Sequence, residues 1–232
     1  MQPGDVLGEA WGLYKAHWRH FLPLAFVVYV VLGLVSLLLS LALGWFGALL
    51  GSLVGLVGVF WLQGALSVAV ADVRDGRADL SISQSLERVR PRLASLIGAG
   101  LLAGLGIVLG LILLIVPGLV LLTWWSVIVP VIVFEEVAAM ESFGRSRALV
   151  RGNGWNVFGV IVLTVLLLIA AAIVISIVAA IVLGWLPGEI RSYVQSLVSN
   201  TLTAPFLALA WTLMYFRLRE FERPAEPAPV PA

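Results

Sequence analysis

The 232-residue sequence predicts an all-α, polytopic membrane protein: six transmembrane helices arranged as three hairpins, each preceded by an amphipathic interfacial helix. Three observations carry this expectation. Hydrophobic residues make up 61% of the chain and charged residues 12%, against about 45–50% and about 25% in a soluble domain. One soluble core of this size cannot hide that excess, so part of the solvent must be lipid. Long uncharged runs recur along the chain, and the basic residues fall almost entirely on one side of them.

The first polar segment carries Leu7, Trp11, Tyr14, Trp18 and Phe21 at alternating steps of four and three, one stripe of a helix, with Glu9, Lys15 and Arg19 on the other face. Residues 21–71 then hold no charge. That is enough for two spans of about 20 residues, with Gly44-Trp45-Phe46-Gly47 as the turn between them. The second polar segment opens on Ser81-x-x-Gln84, a capping-box pattern. Ile82, Leu86, Val89, Leu93 and Leu96 form its stripe, opposite Gln84, Glu87, Arg88 and Arg90. A second uncharged run, 93–134, divides at Val116-Pro117-Gly118, and Pro130 is expected to kink its second half. In the third polar segment Glu141 and Arg145 are an i,i+4 pair in the favourable order, while Ser146 and Asn153 interrupt the stripe. A third apolar region runs from Trp155 to about Leu183; after a turn at 184–188 the last span covers about Ser192 to Phe216.

The three polar segments repeat one pattern: acid or amide, small, large apolar, and a base four further on. The copies are Glu9-Ala10-Trp11 with Lys15, Gln84-Ser85-Leu86 with Arg90, and Glu141-Ser142-Phe143 with Arg147. The repeat units are about 5–71, 80–134 and 138–216 within one membrane domain, 1–221. Residues 222–232 read as a disordered or polyproline Pro/Ala-rich tail. All Lys and Arg residues except Arg191 lie on one side of the spans. The positive-inside bias therefore predicts a multi-pass protein of the bacterial cytoplasmic (inner) membrane with both termini in the cytoplasm. The N-terminus lacks the basic start of a secretory signal.

Three residue sets are candidate sites. Lys15, Arg19, Arg88, Arg90, Arg145, Arg147 and Arg151 are expected to contact anionic lipid headgroups, each base contributing about 1 kcal/mol near such a surface. Gly47, Gly51 and Gly55, then Gly100, Gly104, Gly106 and Gly110, have the four-residue spacing that lets helix backbones approach closely. Gln195, Ser196, Ser199, Asn200 and Thr203 form a polar stripe on the last span, just before Pro205. It reads as interhelical hydrogen bonding or, alternatively, as a polar path.

Other chemistry is missing from the sequence. There is no cysteine, hence no disulfide and no thiolate chemistry. No ionisable residue lies in the middle of a span, which argues against coupled carriers and proton relays. His17 and His20 have no further ligand cluster, so no metal or other cofactor is expected. Phosphate-loop and dinucleotide motifs are absent, and a net charge of +1 points to no nucleic-acid partner.

Several stretches together resemble one family. Pro117-Gly118, then Trp125-Ser126 leading to Pro130 and Glu135, then Ser146-Arg147-Ala148-Leu149-Val150-Arg151-Gly152-Asn153-x-Trp155, are similar to the central signature of the glycerophosphoryl diester phosphodiesterase membrane-domain family and its stand-alone bacterial relatives. Trp211-Thr212-Leu213-Met214-Tyr215-Phe216-Arg217-Leu218-Arg219 is similar to its closing pattern, with Arg217 where an acid is usual. Asp5-Val6-Leu7 to Tyr14 also fits, so the resemblance runs from about residue 3 to 221. It implies an all-helical integral membrane protein and does not imply phosphodiesterase activity, because in fused relatives the chemistry belongs to a separate barrel domain whose motifs this chain lacks. The expected function is that of a non-catalytic membrane scaffold or accessory subunit engaging anionic membrane lipids or a membrane-protein partner. The alternative is a lipid or small-solute transporter.

Overall fold

The computed structural model describes residues 2–77 and 79–222. The regular elements among them are all helical. The Pro/Ala-rich tail lies outside the described residues from 223 onward, and Glu222 still belongs to the last helix.

Helix α1 (Pro3–Arg74) leaves helical geometry twice, at His17 (φ −121°, ψ 24°) and at Gly44 (φ 60°, ψ −134°). Gly44 takes a backbone conformation that a side chain would strain, and the chain reverses there. Gly47 then faces Leu39, Gly51 faces Ser36 and Gly58 faces Leu32, the pairing of an antiparallel hairpin. The bend at His17 separates the amphipathic start from the apolar arm.

At the far end of α1, Asp72 closes the loop: its Oδ2 accepts the Asp79 and Leu80 N–H groups at 3.0 and 3.1 Å. Helix α2 (Ile82–Val89) opens with the expected capping box. The Ser81 N–H donates to Gln84 Oε1 at 2.8 Å, and the Gln84 N–H donates to Ser81 Oγ at 3.3 Å. A 3₁₀ turn, Arg90–Arg92, leads into α3 (Leu93–Leu113).

The next reversal falls at Leu114 (φ −156°, ψ 128°), earlier than the expected Val116-Pro117-Gly118 turn. Pro117 instead sits in the first turn of α4 (Ile115–Trp124), where a missing N–H breaks no helical bond. Gly118 serves packing, with its backbone against Gly110. Helix α5 (Ile128–Glu135) follows a turn at 125–127. The kink expected at Pro130 is thus a full break on its N-terminal side, since the proline ring excludes the helical bond to Ser126. Glu136, at φ 56°, ends α5.

Helix α6 (Ala139–Val150) is capped by Glu141, whose carboxylate accepts the Ala138 N–H at 3.3 Å. Gly152, at φ 89°, turns the chain into α7 (Gly154–Val182), and residues 183–187 link it to α8 (Gly188–Glu222). Of the described residues, five stretches are long and apolar enough to cross a membrane: Pro3–Arg74, Ile82–Leu113, Ile115–Glu135, Gly154–Val182 and Ile190–Glu222.

The core is concentrated at one end of the bundle. It is built from residues 62–73, 127–132, 149–161 and 204–218, with Val6, Ala10, Phe21 and Leu24. Helix α8 runs through its centre: 56% of its most apolar window is buried, against 6% for α7. Away from the core, large apolar side chains point outward, among them Leu41, Ile112 and Ile181 at 75%, 74% and 78% exposure. Water does not tolerate apolar surface on that scale, whereas lipid does.

The amphipathic segments pack against this core. Val6 and Ala10 of α1, Ser85 and Val89 of α2, and Ser142, Ser146 and Leu149 of α6 are buried. In α1 the buried line is rotated from the expected stripe, leaving Trp11 and Trp18 half exposed. Helical periodicity identifies an apolar face without saying whether protein or lipid covers it.

Candidate functional site

The core end of the bundle is tied together by the last two turns of α8. Successive residues rotate by about 100° on a helix, so this short stretch reaches several neighbours at once. Arg217 donates to Glu9 Oε2 at 2.6 Å and to the Asp5 carbonyl at 3.3 Å. Glu220 accepts from Arg74 at 2.6 Å, joining the end of α1. Tyr215 and Glu222, nearly two turns apart, share a face and meet the α5–α6 corner. There Arg145 donates to Glu135 through Nε and Nη2 at 2.5 and 3.1 Å, and to Glu222 through Nη1 and Nη2 at 2.5 and 2.6 Å. Tyr215 donates to the same Glu135 at 3.0 Å. Arg92 pairs with Glu136. The hydrogen bond from Arg145 holds the Glu222 carboxyl below the usual carboxylate range, and its bonds to Glu222 and Glu135 push the Arg145 guanidinium further up.

Arg145 therefore departs from both expectations for it. It does not pair with Glu141, which caps its own helix, and its guanidinium faces protein carboxylates instead of solvent or lipid. The other six expected headgroup contacts, Lys15, Arg19, Arg88, Arg90, Arg147 and Arg151, are exposed and have no acid within 4.0 Å among the described residues. Three of them lie over tryptophan rings: Lys15 on Trp11 at 5.6 Å, Arg19 on Trp18 at 5.4 Å and Arg147 on Trp124 at 4.1 Å. Paired cations and tryptophans of this kind suit the polar–apolar boundary of a bilayer.

Ser146, an interruption in the sequence stripe, is fully buried and donates to the Trp124 carbonyl at 2.7 Å. That carbonyl lies at the α4–α5 break, where the Ile128 N–H bonds Trp125 instead. The serine thus satisfies a backbone acceptor that the break exposes.

The glycines divide. Gly47 and Gly51 pack within the α1 hairpin, Gly100 against Phe60, Gly106 against Trp125 and Gly110 against Gly118, whereas Gly55 and Gly104 face open space. Gly33, outside the spacing pattern, packs against Tyr193 and brings α1 close to α8.

The polar stripe of α8 does not converge on one channel. Gln195 donates to Ser176 of α7 at 2.7 Å, and Thr203 bonds back to the Ser199 carbonyl at 2.8 Å. Ser199 is half-buried, while Ser196 and Asn200 are exposed. Tyr14 of α1 donates to the Leu202 carbonyl of α8 at 3.0 Å, in the turn before Pro205.

Two grooves open on the sides of the bundle. One, of about 680 Å³, lies between α4 and the start of α7 and is edged by Trp124, Asn153, Trp155 and Asn156. The other, of about 750 Å³, lies between the amphipathic start of α1, the middle of α7 and α8. Trp11, Tyr14 and Phe206 form its rigid wall, with Trp11 and Tyr14 stacked at 5.8 Å and Phe206 set edge-on to both. Among the described residues no three His, Asp or Glu side chains converge as a metal-ligand set.

The pairing at the core end was not legible in the sequence, because Glu9–Arg217, Arg74–Glu220 and Arg145–Glu222 join residues 208, 146 and 77 positions apart. No local spacing signals such pairs. Comparison of the chain with family models, curated proteins and solved structures gave no match in any of the three.

Proposed function

We propose that this chain is a six-span protein of the bacterial cytoplasmic membrane, with both termini in the cytoplasm, that acts without catalysis as a scaffold or accessory subunit engaging anionic lipids. The reading rests on the division of the basic residues. Arg74, Arg92, Arg145 and Arg217 are held by acids. Lys15, Arg19, Arg88, Arg90, Arg147 and Arg151 stay exposed on the amphipathic segments and their connecting turns. Bases left free in this way favour the surface of an anionic membrane.

The six-span count is supported by α1, where the reversal at Gly44 offers two arms within one of the five apolar stretches, with α4 and α5 counted together as one span across their break. Resemblance to the glycerophosphoryl diester phosphodiesterase membrane-domain family belongs to the same proposal. Two residues that carry it, Glu135 and Ser146, are engaged in holding α5, α6 and α8 together. That is how a signature that preserves a fold, and not a reaction, would behave. A lipid or solute transporter is the second reading. The lateral grooves favour lipid over a polar solute, since Gln195 and Thr203 are already bonded within the bundle.

The test is lipid retention. Protein extracted into nanodiscs with phosphatidylglycerol and phosphatidylethanolamine is released and weighed by native mass spectrometry. The reading expects phosphatidylglycerol to be enriched on the wild type, and the enrichment to fall on charge reversal at Arg88, Arg90 and Arg147. Equal retention of both lipids would overturn it. Orientation is tested on the natural cysteine-free chain. Trp45→Cys and Trp185→Cys should react with an impermeant maleimide from the periplasmic face, and Arg88→Cys only after permeabilisation; the reverse pattern overturns the orientation.

A further inference from the structure

We propose that the groove between α1, α7 and α8 is the seat of one anionic phospholipid of the inner leaflet, with an acyl chain against Tyr14 and Phe206 and its phosphate at Lys15. This deepens the lipid-engaging reading above and rests on it.

Four observations lead to this occupant. The groove holds about 750 Å³, within the range of about 300–1,000 Å³ typical of small-molecule sites. Its lining is apolar apart from the Trp11 indole N–H and the Tyr14 and Thr203 hydroxyls, and both hydroxyls are already bonded, to the Leu202 and Ser199 carbonyls. No lining hydroxyl is left for a polar solute, whereas an acyl chain asks for none.

Position along the helices agrees. Leu202–Phe206 lie 14–18 residues from the start of α8 at Gly188, about 21–27 Å along a helix, in a hydrocarbon layer of about 30 Å. With the termini cytoplasmic, that places the groove in the inner leaflet. The α7 wall from Leu167 to Ile175 adds about 12 Å of apolar length for the chain to follow.

The edge of the groove carries the matching charge. Lys15 stands over the Trp11 ring, which lines the groove, and has no acidic partner among the described residues. Arg19, one turn on, is likewise unpaired there and lies over Trp18. A cationic edge beside an apolar trough matches an amphiphile with an anionic head. The bend at His17 opens the space, because it turns the amphipathic start of α1 away from the line of its apolar arm.

The experiment uses Gly8, which lines the groove and has nothing within 4 Å of the place a Cβ would occupy. Gly8→Phe fills the groove without disturbing packing. Gly12→Phe is the control, since Gly12 is equally open on the same helix and does not line the groove. Each is purified from nanodiscs containing phosphatidylglycerol and phosphatidylethanolamine, and native mass spectrometry reads the retained lipid. The proposal expects one phosphatidylglycerol on the wild type and on Gly12→Phe, and its loss on Gly8→Phe. Ala171→Leu, from the opposite wall, should lose it as well, and tryptophan fluorescence on heating confirms that each variant is folded. Lys15→Glu should keep a bound lipid but lose the preference for phosphatidylglycerol. If Gly8→Phe and Ala171→Leu both retain the lipid while charge reversal at Arg88, Arg90 and Arg147 removes it, the groove assignment fails and the wider lipid reading stands. If no variant changes retention, both fail. Loss on Gly12→Phe as well, or a wild-type mass showing a second copy of the chain in place of lipid, also overturns the assignment.

Discussion

Arg145→Met removes the guanidinium that joins α6 to α5 and α8, and the structure sets the size of the effect. Arg145 makes two hydrogen bonds to Glu135 and two to Glu222. The two carboxylates differ in burial: the Glu135 side chain is 13% exposed and that of Glu222 is 44% exposed. Breaking a buried pair by removing one partner costs about 3–5 kcal/mol, whereas an exposed pair contributes about 0–1 kcal/mol. Arg145 itself is 28% exposed, so water can reach the site and the buried figure must be reduced. The expected loss is about 2–3 kcal/mol for Arg145→Met and under about 1 kcal/mol for Glu222→Gln.

At about 2–4 °C per kcal/mol for a chain of this size, Arg145→Met should lower the unfolding midpoint by about 4–12 °C. The nine tryptophans give the signal, followed on heating in nanodiscs. The double variant Glu135→Gln/Arg145→Met should recover part of the loss, because it leaves no buried carboxylate without its cation. Equal small shifts for Arg145→Met and Glu222→Gln would refute the reasoning. So would a double variant less stable than Arg145→Met alone.

Other outcomes follow from single contacts. Ser146→Ala should cost about 1 kcal/mol by leaving the part-buried Trp124 carbonyl without its donor, measured on the same thermal ramp. Gly110→Leu should destabilise the α3–α4 hairpin, since any side chain there meets the Gly118 backbone, while Gly55→Ala, in open space, should be neutral or gain up to about 1 kcal/mol; equal effects would discount the packing account. The Glu222 carboxyl is held down in the folded protein by Arg145, so its contribution is present above the unfolded value of about 4.3 and is lost as pH falls through the lower folded value. Thermal midpoints between about pH 3 and 5 should therefore fall less steeply in Glu222→Gln than in the wild type, by a small margin because the group is largely exposed.

The helical class, the limits of the apolar runs, the turns at Gly44 and 184–188 and the Ser81 capping box were all legible in the sequence, because each depends on neighbours within a few residues. The positions that moved show where that locality ends. Pro117 and Pro130 each signal a break, yet both lie inside the first turn of the following helix, where proline is tolerated. Ser146 looks like a flaw in an apolar stripe until the Trp124 carbonyl is placed beside it. Trp11 belongs to a helical stripe by spacing, and the fold sets it at the edge of a groove beside Lys15.

Composition and local patterning determined by themselves that the chain is helical, with several stretches long and apolar enough to cross a membrane, since both properties depend on neighbours along the chain. Which bases are free was decided by tertiary structure alone. Arg145 and Arg147 stand two residues apart in one helix, and the first is enclosed by Glu135 and Glu222 while the second stays exposed over Trp124. The difference arises because a turn of about 200° over two residues points them at different neighbours, and one of those neighbours comes from 77 residues away.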